Sequence, residues 1–135
     1  MKNFFVLALL VFAFSGCEKL IEEKQEDLVV KAMTDGQWKV TRFKQDNNDV
    51  TTSFSPYTFQ FRSDKTVEAI KNGSVESKGT WEGNAGNKTI ASSFNNAGAT
   101  VTLLNGTWNI TKNSWTYVEA TQTVNGEVRM LRLDK

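Results

Sequence analysis

The stretch YTFQFRSDKTVEAIK, residues 57–71, sets the pattern on which the fold prediction depends. Its first five residues place aromatic side chains at positions 57, 59 and 61, with Thr58 and Gln60 between them. Such strict alternation gives a β-strand one apolar face and one polar face. The link Ser63-Asp64-Lys65 is as short as a hairpin turn, so the run that follows it must lie antiparallel to the first.

Other short β-rich runs, separated by clusters of Asn, Gly, Asp and Ser, continue this pattern from Gln37 to the end of the chain. The pairs Asn105-Gly106 and Asn125-Gly126 predict tight type I′ hairpin turns. We therefore expect an all-β fold: an antiparallel up-and-down meander of eight or nine strands, closed into a barrel because closure removes exposed sheet edges. The predicted strands are residues 37–44, 57–62, 66–71, 77–83, 88–94, 100–104, 107–112, 114–121 and 127–135.

A short helix is predicted before the first strand. Apolar residues at 20, 21, 28, 29, 32 and 33 fit one side of a helix, and Asp35-Gly36 ends it. The charged run EEKQED, residues 22–27, predicts a solvated tether as far as about Gln25, followed by a short amphipathic helix. The same run is equally compatible with the exposed face of a longer helix.

The first residues predict secretion. Lys2 precedes an apolar run from Phe4 to Phe14, which is shorter than the roughly 20 residues that a membrane-spanning helix needs. Residues 1–16 therefore read as a cleaved signal peptide. The quartet Phe14-Ser15-Gly16-Cys17 resembles the lipobox of bacterial lipoproteins, although Phe14 stands where leucine is usual. This resemblance implies that the Cys17 thiol carries a diacylglyceryl group and that its new amino group is acylated, for example with palmitate.

A second resemblance lies at the start of the first strand. Gly36-Gln37-Trp38, placed after a short helix, resembles the Gly-x-Trp signature of the lipocalins. With the lipobox and the closing MLRLDK, the chain resembles the small lipocalin-like lipoproteins of Gram-negative bacteria. The resemblance implies that Trp38 seals one end of the barrel against an arginine of the last strand, either Arg132 or, as the second choice, Arg129. The middle lipocalin motif has no clear counterpart, which leaves a flattened or partly open barrel as the alternative.

Together these features predict three segments and a location. Residues 1–16 form the signal peptide, residues 17–35 the lipidated tether and helix, and residues 36–135 the lipocalin-like barrel. The expected location is the Gram-negative cell envelope. There the protein would be held on the outer membrane by its lipid, facing either the cell surface or the periplasm.

The composition argues against several classes of function. The chain has no histidine, which removes Ser-His-Asp triads and the commonest zinc ligand, and its only cysteine is Cys17. Without residues 1–16, 119 residues remain with 15 basic and 15 acidic side chains, so nothing indicates nucleic-acid binding. We expect no enzymatic activity, cofactor or metal. The strand carboxylates are expected to be exposed rather than paired for catalysis; they are Glu68, Glu76, Glu82 and Glu119.

Two functions remain open at this point. The first is a non-enzymatic binding domain that holds a small apolar or amphipathic ligand inside the barrel. The candidate lining residues are Phe59, Phe61, Trp81, Phe94, Leu103 and Tyr117. The alternative is a protein-interaction module with a filled barrel, acting as an accessory subunit of an envelope complex or as an enzyme inhibitor. In that case loops such as residues 46–56 and 95–98 would bind the partner.

Overall fold

The structure, a computed structural model, describes residues 25–135. Helix α1 covers residues 25–34 and precedes a single antiparallel sheet, so the predicted all-β meander with a short leading helix is confirmed. Within these residues no helix is long and apolar enough to cross a membrane. The strands are β1 (Lys39–Gln45), β2 (Asn48–Asp49), β3 (Tyr57–Phe61), β4 (Thr66–Lys71), β5 (Ser74–Asn84), β6 (Thr89–Asn95), β7 (Gly106–Asn113), β8 (Tyr117–Val124) and β9 (Glu127–Asp134).

The sheet curls until its two ends meet. Its strand order is β2-β1-β9-β8-β7-β6-β5-β4-β3, so the first long strand and the last strand are neighbours. Just before β1, the Trp38 amide donates to the Phe59 carbonyl at 2.9 Å, and the Phe59 amide donates to the Trp38 carbonyl at 2.8 Å. Beyond this bridge, β2 and a 3-10 turn at Thr51–Phe54 lie against β1 instead of β3. Closure is therefore complete at one end of the barrel only.

The alternating strand directions define two ends of the barrel. The helix end carries α1, Trp38, the β5–β6 and β7–β8 loops, and the C-terminus. The cap end carries the β4–β5 and β8–β9 turns and a second short helix, α2 (Ala99–Thr102). Adjacent antiparallel strands place successive loops at opposite ends, so each exposed loop residue can be assigned to one of them.

Helix α1 covers the helix end through its apolar side. Val29 and Val30 pack against the core, and Met33 is buried. The indole nitrogen of Trp38 donates to the Met33 carbonyl at 2.9 Å, which ties the last turn of the helix to the first strand. The amphipathic helix is thus formed as predicted, whereas the predicted tether before Gln25 lies outside the described residues.

One predicted strand is wrong. Residues 100–104 form α2 and its C-terminal turn instead of a strand between β6 and β7. Val101 and Leu104 are both buried, and their spacing of three residues puts them on one side of a helical turn facing the cap end. The Thr102 hydroxyl donates to the Gly98 carbonyl at 2.8 Å within the same turn. The apolar run TVTLL carried no alternation that could separate a strand from a buried helical turn.

Of the two predicted type I′ hairpin turns, one is formed and the other is not. Asn125-Gly126 has positive φ at both residues, as the predicted type I′ turn requires. Asn72-Gly73 has the same geometry and joins β4 to β5. Asn105-Gly106 is not a hairpin turn, because only Gly106 has a positive φ and the pair lies at the exit from the α2 cap.

Gly79 lets β5 and β6 approach each other, and we expect Gly79→Ala to destabilise the protein by about 1 to 3 kcal/mol, the usual effect of overpacking. A Cβ atom at Gly79 would lie 2.1 Å from the Ser93 carbonyl oxygen and 2.8 Å from the Phe94 Cα atom. Both neighbours are backbone and cannot rotate away. Urea unfolding followed by circular dichroism measures the loss.

The matched control is Gly86→Ala in the β5–β6 loop. A Cβ atom there meets only the Asn84 side-chain oxygen, at an ordinary 3.5 Å. Because Gly86 also has no positive φ, we expect unchanged or slightly raised stability. Equal effects of the two substitutions would contradict the role of Gly79.

Candidate functional site

The barrel interior contains most of the residues that were expected to line it. Phe59, Phe61, Trp81 and Phe94 all point inward and are buried. Phe59 meets Phe94 edge to face with ring centroids 6.1 Å apart, and Phe61 meets Trp81 in the same way at 5.4 Å. Leu103 is half-buried and packs against this core from the cap. The aromatic residues thus contact one another rather than surround an open space.

Little space remains between them. The cavity inside the barrel has a volume of about 30 Å³. That is room for one or two water molecules, whereas ligand pockets usually measure about 300 to 1,000 Å³. The lining includes residues that the sequence analysis did not select: Ile90, Ser92, Leu104, Trp108, Leu131 and Leu133. Three of them could have been identified from the sequence: Leu131 and Leu133 alternate with Arg132, and Trp108 is a large aromatic residue in β7.

Tyr117 does not belong to this lining. In β8 the buried residues are Val118, Ala120 and Gln122, so Tyr117 projects from the opposite, outer face. There it lies beneath Arg132 of β9, whose guanidinium carbon is 4.5 Å from the ring centroid. Val118 pairs with Leu133 and Ala120 with Leu131, so the even-numbered residues of β8 face inward and Tyr117 faces outward.

Arg132 is the centre of a polar cluster on the outer face. Its guanidinium donates to the Glu119 carboxylate at 2.8 Å and to both carboxylate oxygens of Asp134, at 2.9 and 3.1 Å. The Thr41 hydroxyl donates to Asp134 from β1. The hydrogen bond from Arg132 lowers the pKa of Asp134, and the two carboxylates raise the pKa of Arg132. The cluster cross-links β8, β9 and β1. The Arg132 guanidinium is engaged by these two carboxylates and is therefore not poised to bind a substrate.

The expected contact between Trp38 and an arginine is therefore not formed. Trp38 is fully buried, as the Gly-x-Trp resemblance implies, and Gly36 adopts the left-handed region with φ +78°. However, the cation over its indole ring is the Lys135 ammonium, 5.0 Å from the ring centroid. Arg132 cannot replace it because Leu131 and Leu133 occupy the inward positions of β9. Arg129, the second choice, instead pairs with Glu127 at 2.6 Å.

A groove opens on the surface at the helix end. It lies between α1, the β5–β6 loop and the β7–β8 loop and has a volume of about 420 Å³. Leu28 of the helix and Trp115 of the β7–β8 loop line it and are 48 % and 56 % exposed. Its remaining walls mix small apolar and polar side chains, with Lys88 as a cationic member of the lining. This groove has no local signature in the sequence, because its two exposed large apolar residues come from segments 87 positions apart.

Of the four strand carboxylates that were expected to be exposed, two are exposed and two are half-buried and paired with arginines. Glu68 accepts a hydrogen bond from Arg62 at 2.7 Å, Glu119 binds Arg132, and Glu82 is exposed. Glu76 is exposed beside Tyr57; desolvation, with a smaller effect of the Glu76 carboxylate, raises the pKa of that phenol to about 12. Across residues 25–135, no group of three or more acidic, His or Cys side chains is arranged to hold a metal ion.

Comparison with known proteins identifies a likeness in fold. No family model matches the chain, and no curated protein matches it either. Among solved structures, the chain is similar to a DUF4847 family protein from Bacteroides vulgatus ATCC 8482, with a TM-score of 0.56 and 14 % sequence identity. The likeness covers 78 % of this chain and 96 % of the other. At this level of identity it shows a shared fold alone.

The contacts of Trp38 predict that double-mutant cycles will show coupling of Trp38 to Lys135 but not to Arg132. Trp38→Ala should destabilise the protein by about 3 to 5 kcal/mol, because it removes a fully buried large aromatic side chain. The Trp38 and Lys135 substitutions should be coupled by about 0.5 kcal/mol or more, since the two side chains are in contact. Because Trp38→Ala leaves a large cavity in the core, Trp38→Phe with Lys135→Ala provides the second cycle, measured by chemical unfolding.

The control cycle pairs Trp38 with Arg132. Arg132 lies on the outer face, so its effect should add to that of Trp38 without coupling. Coupling of Trp38 to Arg132 in place of Lys135 would contradict the positions described above.

Proposed function

We propose that this protein is a non-enzymatic lipoprotein of the Gram-negative outer membrane that works through its outer surface as a protein-interaction module. The observation that carries the proposal is the filled interior, in which about 30 Å³ remains among packed aromatic residues. A barrel of eight strands can hold either side chains or one small ligand, and here side chains occupy the space. The lipocalin-like class stays part of the proposal through Gly36 and the buried Trp38.

The cap end supports the same interpretation. Phe54 is fully buried and stacks on Phe43 with ring centroids 5.1 Å apart, which closes the split beside β1. The Gln122 amide donates to the Asn105 carbonyl at 3.0 Å and so fastens the exit of the α2 cap to β8. An entry route for a ligand would have to break these contacts. The loop at residues 46–56, which was expected to bind a partner, contributes Phe54 to this closure. Its exposed residues are 46–49 at the tip, with 52, 53 and 55 in and beside the 3-10 turn.

Attachment to the membrane is proposed from the sequence. Residues 1–16 and Cys17 lie outside the described residues, and the support is the signal-peptide pattern followed by Phe14-Ser15-Gly16-Cys17. A thioether-linked diacylglyceryl group and an amide-linked chain together provide stable anchoring, because one acyl chain binds a bilayer only marginally.

A ligand-binding experiment tests the filled barrel. We expect no saturable binding of benzene or a fluorescent fatty acid by the wild-type protein in calorimetric or fluorescence titrations. Phe94→Ala should create an apolar cavity beside Phe59 that binds benzene, while lowering stability by about 3 to 5 kcal/mol. Val128→Ala, at a 52 % exposed position, is the matched control and should gain no binding. Saturable binding of benzene by the wild type that Phe94→Ala does not increase would overturn the proposal.

Metabolic labelling with palmitate tests the anchor. The wild-type protein should take up the label and begin at Cys17 in mass spectrometry, because that residue supplies the only thiol. Cys17→Ser should take up no label and should retain residues 1–16. Ser15→Ala, which keeps a small residue beside the cleavage site, should be labelled like the wild type. Label on the Cys17→Ser variant would contradict acylation at this thiol.

A further inference from the structure

Exposed apolar side chains fall into two pairs at opposite ends of the barrel. Within residues 25–135, four large apolar side chains are markedly exposed: Leu28, Val75, Trp115 and Val128. Val75 and Val128 lie near the starts of β5 and β9, both at the cap end. Leu28 and Trp115 lie at the helix end, where both line the same groove. A single exposed apolar residue is ordinary on a protein surface, whereas two that share one groove indicate a contact site.

Trp115 is held in its exposed position by its own loop. The Ser114 hydroxyl accepts hydrogen bonds from the amides of Thr116, at 3.1 Å, and Tyr117, at 3.3 Å. The Ser114 amide donates to the Tyr117 carbonyl at 2.9 Å. These bonds form a tight turn around Trp115, so the indole is presented at a fixed place rather than on a long loop. The other three tryptophans are buried, with 0 to 2 % exposure.

The position of the groove relative to the anchor indicates what it contacts. Gln25 lines the groove and lies eight positions after Cys17 in the sequence. An extended chain covers at most about 3.6 Å per residue, so a lipid on Cys17 keeps the groove within roughly 30 Å of the bilayer. The cap end lies a further length of the strands away, about 25 Å for eight residues. The proposed anchor therefore joins the barrel at its helix end, which is the nearer of the two ends to the lipid along the chain.

We propose that the helix end rests on the lipid bilayer, with Trp115 and Leu28 inserted into the interface and the groove between them facing lipid. Tryptophan favours this layer, because its ring is apolar while its N–H finds a polar partner at headgroup level. The inference rests on the proposed anchor at Cys17, since the lipid brings the groove to the surface. It turns the cap end outward, toward a partner.

Tryptophan fluorescence can test this contact in the full lipidated chain. The protein is purified from membranes in detergent and reconstituted into phosphatidylcholine vesicles, with or without bromine on the acyl chains near the headgroup. Flotation reports whether the protein is anchored, and loss of emission in the brominated vesicles reports contact between a tryptophan and lipid. Because the other three indoles lie inside the barrel, we expect the loss to arise from Trp115.

Three variants make the result specific. Trp115→Phe should remove the quenching by brominated lipid while flotation is unchanged. Leu28→Ser should reduce the quenching, and Val128→Ser, at an equally exposed apolar position of the cap end, should leave it at the wild-type level.

The remaining outcomes separate this inference from the proposed function. Flotation without quenching of Trp115 would overturn the membrane contact and leave the anchor standing. Shielding of Trp115 from aqueous acrylamide without quenching by lipid would show that protein covers the groove, and this too would overturn the inference. Failure to float would overturn the anchor and the inference together.

Discussion

Two backbone hydrogen bonds between Trp38 and Phe59 close the curled sheet, because they join the segment before β1 to β3 at the opposite end of the strand order. The arrangement of the whole barrel depends on this closure. The two bonds bring the segment before β1 onto β3, so Trp38 is enclosed and its indole nitrogen can reach the last turn of α1. Further along the same edge of β1, beyond this contact, the sheet is split, and Phe54 and the 3-10 turn fill the split. Because a meander with open edges is prone to pair with other chains, this partial closure also shortens the edge that is open to such pairing.

The interior of the barrel is packed with apolar side chains, whereas its surface carries the ion pairs and the groove. Inside, aromatic rings pack edge to face with about 30 Å³ left over, which favours rigidity over ligand binding. Outside, Arg132 cross-links three strands through Glu119 and Asp134. The surface at the helix end combines a groove with two exposed apolar side chains. A solid barrel with two dissimilar ends suits a protein held to a membrane at one end and presented to a partner at the other.

The Gly-x-Trp motif predicted the buried tryptophan correctly but not the cation that packs on it. Trp38 is buried at one end of the barrel, as the Gly-x-Trp resemblance implies, yet the cation over the ring comes from Lys135 instead of an arginine. Alternation along β9 decides this: Leu131 and Leu133 face inward, so Arg132 between them must face outward. The chain terminus supplies the cation instead, and Asp35 pairs with the same Lys135 ammonium at 3.5 Å. A motif thus specified the buried aromatic residue but not the residue that packs on it.

Elements whose signal is local could be predicted from the amino-acid sequence alone. Alternating residues such as Phe59 and Phe61 specified strands and their inward faces, and Asn125-Gly126 specified a turn, because both depend on a few adjacent residues. Tertiary structure decided what depends on distant residues or on a single register step. Residues 100–104 became a helical cap because the cap end offered their apolar side a core to cover. Tyr117 faces outward because pairing with Leu131 and Leu133 of β9 puts Val118 and Ala120 on the inward face of β8. The groove between Leu28 and Trp115 exists only because closure of the barrel brings α1 beside the β7–β8 loop, a contact that no local pattern encodes.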